Sequence, residues 1–192
     1  RPYSLKIDRN SAVLEAYQAA AQETVPIEQL HARASERIVA ATGSEAGLVT
    51  AGSSAALTLG TAAILTGLDV ARMEQLPDCT GFAHEFVVSR EHRNGYDHAV
   101  RAAGARLVEV GFNEQVAGAG VRRTEAWEYE AAFGPQTAGV LYVLTPDSRP
   151  VLQDVVKVAH DQGLPVLVDA AGELPPRENL RDIPATGADL VA

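Results

Sequence analysis

Three short stretches of this chain hold residues able to do chemistry. The first is Gly52-Ser53-Ser54-Ala55, which joins an apolar run to a helical run. At a helix N-terminus, free backbone N–H groups and the helix dipole favour an anion, and small hydroxyl residues let a phosphate come close. The plainer reading is an N-cap preceded by a flexible glycine. The stretch is neither a Walker loop nor a Gly-x-Gly-x-x-Gly fingerprint, so the nucleotide readings lack their signatures. The second is Asp169, which closes the apolar run Pro165-Val166-Leu167-Val168. An acid at the end of a buried strand is costly unless a cation or hydrogen-bond donor meets it. A pyridinium nitrogen, a metal or an arginine would serve, and a capping role at the strand exit is the alternative.

The third stretch is Arg90-Glu91-His92-Arg93-Asn94-Gly95-Tyr96-Asp97-His98. It follows a strand, so His92 could offer an imidazole for stacking or for acid–base work. His92 and Asp97 are potential metal ligands, but no further ligand cluster supports them, and no metal site is predicted. His98 falls inside a predicted helix; it, His31, His84 and His160 read as packed or surface residues. Ser, His and Asp are all present, yet no Gly-x-Ser-x-Gly elbow points to a hydrolase triad.

These residues need a scaffold, and the hydrophobic pattern supplies one. Helices are predicted over 11–22 and 28–41, the second from the spacing of Ile27, Leu30, Ala34 and Ile38, with Gly43 as its cap. Gly47 to Thr50 reads as a short strand, followed by a helix from Ala55 to about Leu65, apolar on nearly every side and so buried. Residues 68–84 read as irregular. Strands are predicted at 85–89, 106–110, 139–144 and 165–170, with a further one starting at Ala188. Helices are predicted at 96–103, 125–133 and 151–162, the last presenting Val151, Val155, Val158 and Ala159 on one face. Strands alternate with helices and several strands are continuously apolar, the pattern of a mostly parallel sheet covered on both faces, an α/β three-layer sandwich. Ligands in such sheets sit beyond the carboxyl ends of the strands, so Ser53-Ser54, His92, Thr145 to Ser148 and Asp169 are the positions of interest.

Composition narrows the partners. The 192 residues are 46% hydrophobic and 21% charged with a formal net charge of -9, and Cys79 is the lone cysteine. This is globular composition with no intrachain disulfide and no cysteine zinc cage. The acidic balance disfavours nucleic acid, the longest basic run being Arg122-Arg123. No stretch reaches the roughly 18 apolar residues of a membrane helix, and no signal-peptide pattern opens the chain, so a cytoplasmic setting and no membrane partner are expected. The start at Arg1 and the stop within Leu190-Val191-Ala192 both read as cuts.

The ordered set of features resembles fold-type I pyridoxal-phosphate enzymes, and more narrowly the selenocysteine synthase-like group that includes D-glucosaminate-6-phosphate ammonia-lyases. Four stretches carry the resemblance: ERIVAATGSEAGLVTAGSSAALTLGTAAILTG, VVSREHRNGYDHAVRAAGARLVEVG, GVLYVLTPDSRPVLQDVVKVAHDQGLPVLVDAAGELPP and NLRDIPATGADLVA. The resemblance implies pyridoxal 5'-phosphate as cofactor, with Gly52, Ser53, Ser54 and Ala55 at its phosphate, His92 over its ring and Asp169 on its pyridine nitrogen. It implies an N-terminal helical segment over 1–42 and a cofactor-binding large domain over 43–192 that is incomplete at its C-terminus. It also implies a homodimer or higher homo-oligomer acting on a small amino substrate, an amino acid or amino-sugar acid, through a Cα carbanion.

One part required by that resemblance is missing. The family's Schiff-base lysine follows a strand beyond a Gly-Ala-Asp-Leu-Val motif, whereas this chain holds only Lys6 and Lys157 and ends at Ala192. The expectation is a piece of a larger enzyme, with a naturally short and catalytically dead regulatory domain as the alternative. The Asp-Ala-Ala-Gly-Glu-Leu-Pro-Pro run is closest to the ammonia-lyase branch, so α,β-elimination is expected ahead of aminotransfer or selenocysteine synthase-like transfer.

Overall fold

A computed structural model describes residues 11–112 and 123–192. Lys6 and Arg122, weighed above, lie outside the described residues. Helices α1 (Ser11–Ala20) and α2 (Ile27–Thr42) come first, and neither contains a fully buried residue. Helix α2 ends as its sequence predicts. Gly43 has a φ of 77°, and its N–H reaches the Val39 carbonyl, a left-handed turn that glycine adopts without a side-chain penalty.

Helix α3 (Ser53–Thr66) is followed by a short α4 (Val70–Gln75). The rest alternates: β1 (Glu85–Ser89), a 3-10 turn (Arg90–His92), α5 (Asp97–Ala102), β2 (Arg106–Val110), α6 (Ala126–Ala132), β3 (Thr137–Val143), α7 (Leu152–His160), β4 (Val166–Asp169), α8 (Asn179–Asp182) and β5 (Leu190–Val191). The five strands form one sheet in the order β2-β1-β3-β4-β5, and every pairing is parallel. The expected mostly parallel sheet is thus wholly parallel among the described strands.

Alternation along each strand splits the core into two layers. Phe86, Val88, Leu141 and Leu167 face one side, with Leu57 and Leu65 of α3 and Val100 of α5. Val87, Val140, Tyr142, Val166 and Val168 face the other, with Tyr129 of α6 and Val155 and Ala159 of α7. Each of the valine, leucine and phenylalanine side chains among these contributes about 1.5–3 kcal/mol by leaving water. Helix α3 lies close on the sheet because Gly60 has no side chain: a Cβ there would stand 3.1 Å from Leu167 Cδ1.

Three sequence expectations need correction. Residues 47–50 are not a strand; Leu48 and Val49 are exposed and Gly47 is tied instead to α2 by its N–H to Ser35 Oγ at 3.0 Å. Their β propensity has no strand to pair with, and propensity without a partner does not make a sheet. The stretch read as irregular contains α4, started by Asp69 Oδ1, which accepts from the N–H groups of Ala71 and Arg72 at 3.0 and 3.2 Å. Helix α7 buries Leu152 and Val156 as well as Val155 and Ala159, while Val151 is its exposed N-cap.

Candidate active site

The chain runs from β1 outward to β2, then returns to the other side of β1 for β3. The sheet order therefore reverses between β1 and β3, the place where open α/β sheets form ligand crevices. A small cleft lies there. Its walls include Leu57 from the second turn of α3, Asn94, Tyr96 and Asp97 from the segment after β1, Val143 from β3 and Asp169 from β4. A broader surface depression between α2 and α8, lined by Ala40, Arg177 and Arg181, holds none of the predicted site residues.

Asp169 is 8% exposed. Its Oδ1 accepts the Ala171 N–H at 3.2 Å, and its backbone oxygen accepts the Leu144 N–H at 2.8 Å. Among the described residues no cation pairs with it and Oδ2 has no protein partner, so the strand exit explains one oxygen and leaves the other for a ligand. The α3 N-terminus has the complementary character. Gly52 has a φ of 113° and caps the helix without a side-chain bond. The first amide to find an acceptor inside the helix is that of Ala56, 3.1 Å from the Gly52 carbonyl oxygen. The N–H groups of Ser53, Ser54 and Ala55 have no acceptor among the described residues, and neither serine hydroxyl makes a hydrogen bond there. Ser53 is one helical turn before Leu57, the residue of α3 that lines the cleft with Asp169.

His92 is placed differently. It is 5% exposed, and neither ring nitrogen has a hydrogen-bond partner. Its ring meets Tyr142 edge-on, with centroids 4.5 Å apart and planes at 75°, a favoured aromatic geometry. Tyr142 belongs to the α6/α7 layer, and its hydroxyl donates to the Pro150 carbonyl at 2.8 Å. His92 is not among the residues lining the cleft. Burial lowers its pKa from the ordinary 6.5 to about 4; Glu91 opposes that shift and Arg123 adds to it. Burial likewise pushes the Tyr142 hydroxyl up to about 12.

Thr145 to Ser148, expected near a ligand, close the β3 exit on themselves. Ser148 Oγ donates to the Val143 carbonyl and accepts the Thr145 N–H, both at 2.9 Å. Lys157 stands on α7 with 73% of its side chain exposed, 2.5 Å from Asp161, and cannot serve the cleft. Among the described residues no group of three or more His, Cys, Asp or Glu could hold a metal. The cleft residues that the sequence reading passed over are Asn94 and Tyr96. Their signal was an Asx turn: Asn94 Oδ1 accepts the Tyr96 N–H at 2.7 Å.

A wholly parallel sheet between two helical layers matches the pyridoxal-phosphate transferase-like fold. No family model matches the chain. Among curated proteins it is 34% identical, over 93% of its own length, to D-glucosaminate-6-phosphate ammonia lyase of Salmonella typhimurium (strain 14028s / SGSC 2262). It is 35% identical, over 95% of its length, to 5'-C-glycyluridine monooxygenase-decarboxylase of a Streptomyces species. The solved structure of a D-glucosaminate-6-phosphate ammonia-lyase superposes on 94% of the chain with a TM-score of 0.82. The chain spans 47% and 45% of the two curated relatives and 48% of the solved one, about half of each. The resemblance read from the sequence is thereby borne out, and with it the fold class.

Proposed function

We propose that this chain is the cofactor-binding part of a pyridoxal-phosphate ammonia-lyase that acts on a small amino acid or amino-sugar acid by α,β-elimination. The observation that carries the reading is the pairing, at one cleft, of an anion-favouring helix end with a buried carboxylate that has no cation of its own. The identity to an ammonia lyase over nearly the whole chain supports it. The second relative's name describes an oxidative decarboxylation, so that chemistry is the alternative to test, together with aminotransfer and a catalytically dead domain.

The residues present fit the cofactor. The free N–H groups of Ser53, Ser54 and Ala55 and the two serine hydroxyls would bind its phosphate, and Gly52 lets the backbone approach. Asp169 would hold a proton on its pyridine nitrogen. When bound, pyridoxal phosphate supplies an electron sink for negative charge at the substrate Cα. The resemblance puts His92 over the ring, whereas here it packs against Tyr142 outside the cleft lining, where burial lowers its proton affinity and would keep it neutral at neutral pH. Tyr142 holds that imidazole in place and the packed β3 exit keeps water out beneath it.

The covalent lysine would come from outside this chain, and the division into a helical segment over 1–42 and a large domain over 43–192 follows the same reading. A homodimer is supported by the exposed apolar residues Val13, Leu14, Tyr17, Ile27 and Leu30 on α1 and α2. A cytoplasmic setting accords with the free Cys79; no described helix is long and apolar enough to cross a membrane. The test is to supply the full-length protein with pyridoxal phosphate and candidate amino acids and amino-sugar acids, measuring ammonia, oxygen uptake and carbon dioxide. Ammonia release without oxygen uptake is expected. Oxygen-dependent decarboxylation would replace the lyase reading, and borohydride fixation of the cofactor on Lys6 or Lys157 would overturn the placement of the lysine.

A further inference from the structure

The turn that carries His92 is tied down by its neighbours, since the imidazole itself makes no hydrogen bond. Glu109 lies on β2, in register beside Val88 of β1. Its Oε2 accepts from Arg90 Nε at 3.1 Å, and its Oε1 accepts from Arg93 Nη1. Arg93 also donates through Nε to Asp97, a cleft-wall residue whose side chain is 5% exposed. Asp97 Oδ1 in turn accepts the Asn94 N–H at 3.5 Å. One carboxylate on the neighbouring strand therefore grips the chain on both sides of His92 and, through Arg93, reaches the 94–97 wall.

We propose that Glu109 is a positioning residue for the cofactor cleft: by holding Arg90 and Arg93 it fixes the turn that buries His92 and the wall formed by Asn94, Tyr96 and Asp97. The proposal rests on the cleft being the cofactor site. Ion pairs with 31–54% exposed side chains add little to global stability. What the shared carboxylate does is restrict geometry, because two guanidinium groups must meet it from fixed places on one turn.

The role has a signature that a direct charge effect cannot imitate. Removing a negative charge from the vicinity of an imidazole lowers its proton affinity. Loosening the turn lets water reach His92 and raises its pKa from about 4 back toward 6.5. The charged groups that face His92 are Glu91, on the same turn, and Arg123, which pairs with Glu91.

The experiment is Glu109→Gln, an isosteric change, in the full-length protein labelled with 15N-histidine. The His92 ring nitrogens are followed by NMR across the pH range without cofactor, with His92→Gln to assign them. The His92 midpoint is expected to rise by at least one pH unit. The dissociation constant for added pyridoxal phosphate should rise about three- to tenfold, and Glu109→Asp should restore part of both. An unchanged or lowered midpoint overturns the proposal. Should Glu109→Gln fail to fold, Arg90→Gln removes one arm of the grip and is judged by the same midpoint. A raised midpoint in a protein whose wild type does not bind pyridoxal phosphate would uphold the grip and discard the cofactor reading instead.

Discussion

Asp169→Asn should move stability and cofactor binding in opposite directions. The carboxylate is 8% exposed, takes one backbone hydrogen bond at 3.2 Å and has no cation among the described residues. A buried charge so poorly matched costs free energy in the cofactor-free protein. Asparagine keeps the shape and can still accept the Ala171 N–H, so the cofactor-free variant should be as stable as wild type or more stable by about 1 kcal/mol. Binding should suffer, because a charge-assisted hydrogen bond to the pyridine nitrogen, about 1.5–3 kcal/mol, becomes a neutral one. That is a dissociation constant roughly 10- to 150-fold higher, and turnover should fall by orders of magnitude because the ring nitrogen loses its proton. Urea unfolding without cofactor, fluorescence titration with pyridoxal phosphate and a turnover assay measure the three. A destabilised variant that binds cofactor normally would show that Asp169 serves the fold and would remove it from the site.

Ser53→Ala and Ser54→Ala should each weaken cofactor affinity, the larger loss being about 1.5–3 kcal/mol and expected at Ser54, checked by equilibrium dialysis with pyridoxal phosphate; unchanged affinity in both would count against an anion site at α3. The His92 shift from 6.5 to about 4 makes stability depend on pH. Between those values the unfolded chain binds a proton that the folded one refuses, so stability falls as pH drops through that window and the full loss, about 3 kcal/mol, is reached below pH 4. Denaturant unfolding at pH 7 and pH 4 should show this extra loss in the wild type and not in His92→Gln.

The parts of the fold legible in the sequence were those written in local pattern. Strands buried on both faces are continuous apolar runs, so 85–89 and the Asp169 strand could be placed within a residue or so, and 106–110, an edge strand, from Leu107, Val108 and Val110. Gly52-Ser53-Ser54 and Asp169 were legible as well, because each breaks the pattern of an element that ends there. The segment 47–50 was misread since Leu48, Val49 and Thr50 look alike whether or not a strand lies beside them. His92 was singled out for its position after a strand, but its packing against Tyr142 was not foreseen, and Glu109 was passed over. Both depend on which strands become neighbours, with β2 against β1 and β3 on the other side. That information lies between residues 16 to 50 positions apart and leaves no periodic trace.

The electrostatic layout of the carboxyl edge also restricts what the cleft can hold. Arg90 and Arg93 are matched by Glu109 and Asp97, and Arg123 by Glu91. Among the described residues those pairings leave two unmatched features of opposite preference: donors without acceptors at the start of α3, and a carboxylate without a cation at the end of β4. A nucleotide satisfies the first and is repelled by the second, while a simple polyamine does the reverse. A ligand carrying a phosphate at one end and a protonated ring nitrogen at the other satisfies both, and the separation of the two ends is set by how closely α3 lies on β4. Gly60 sets that distance, since a Cβ there would already press within 3.1 Å of Leu167. The residue that fixes the spacing is thus an apolar contact inside the core, and a preference of the proposed site for a dipolar ligand would follow from packing as much as from charge.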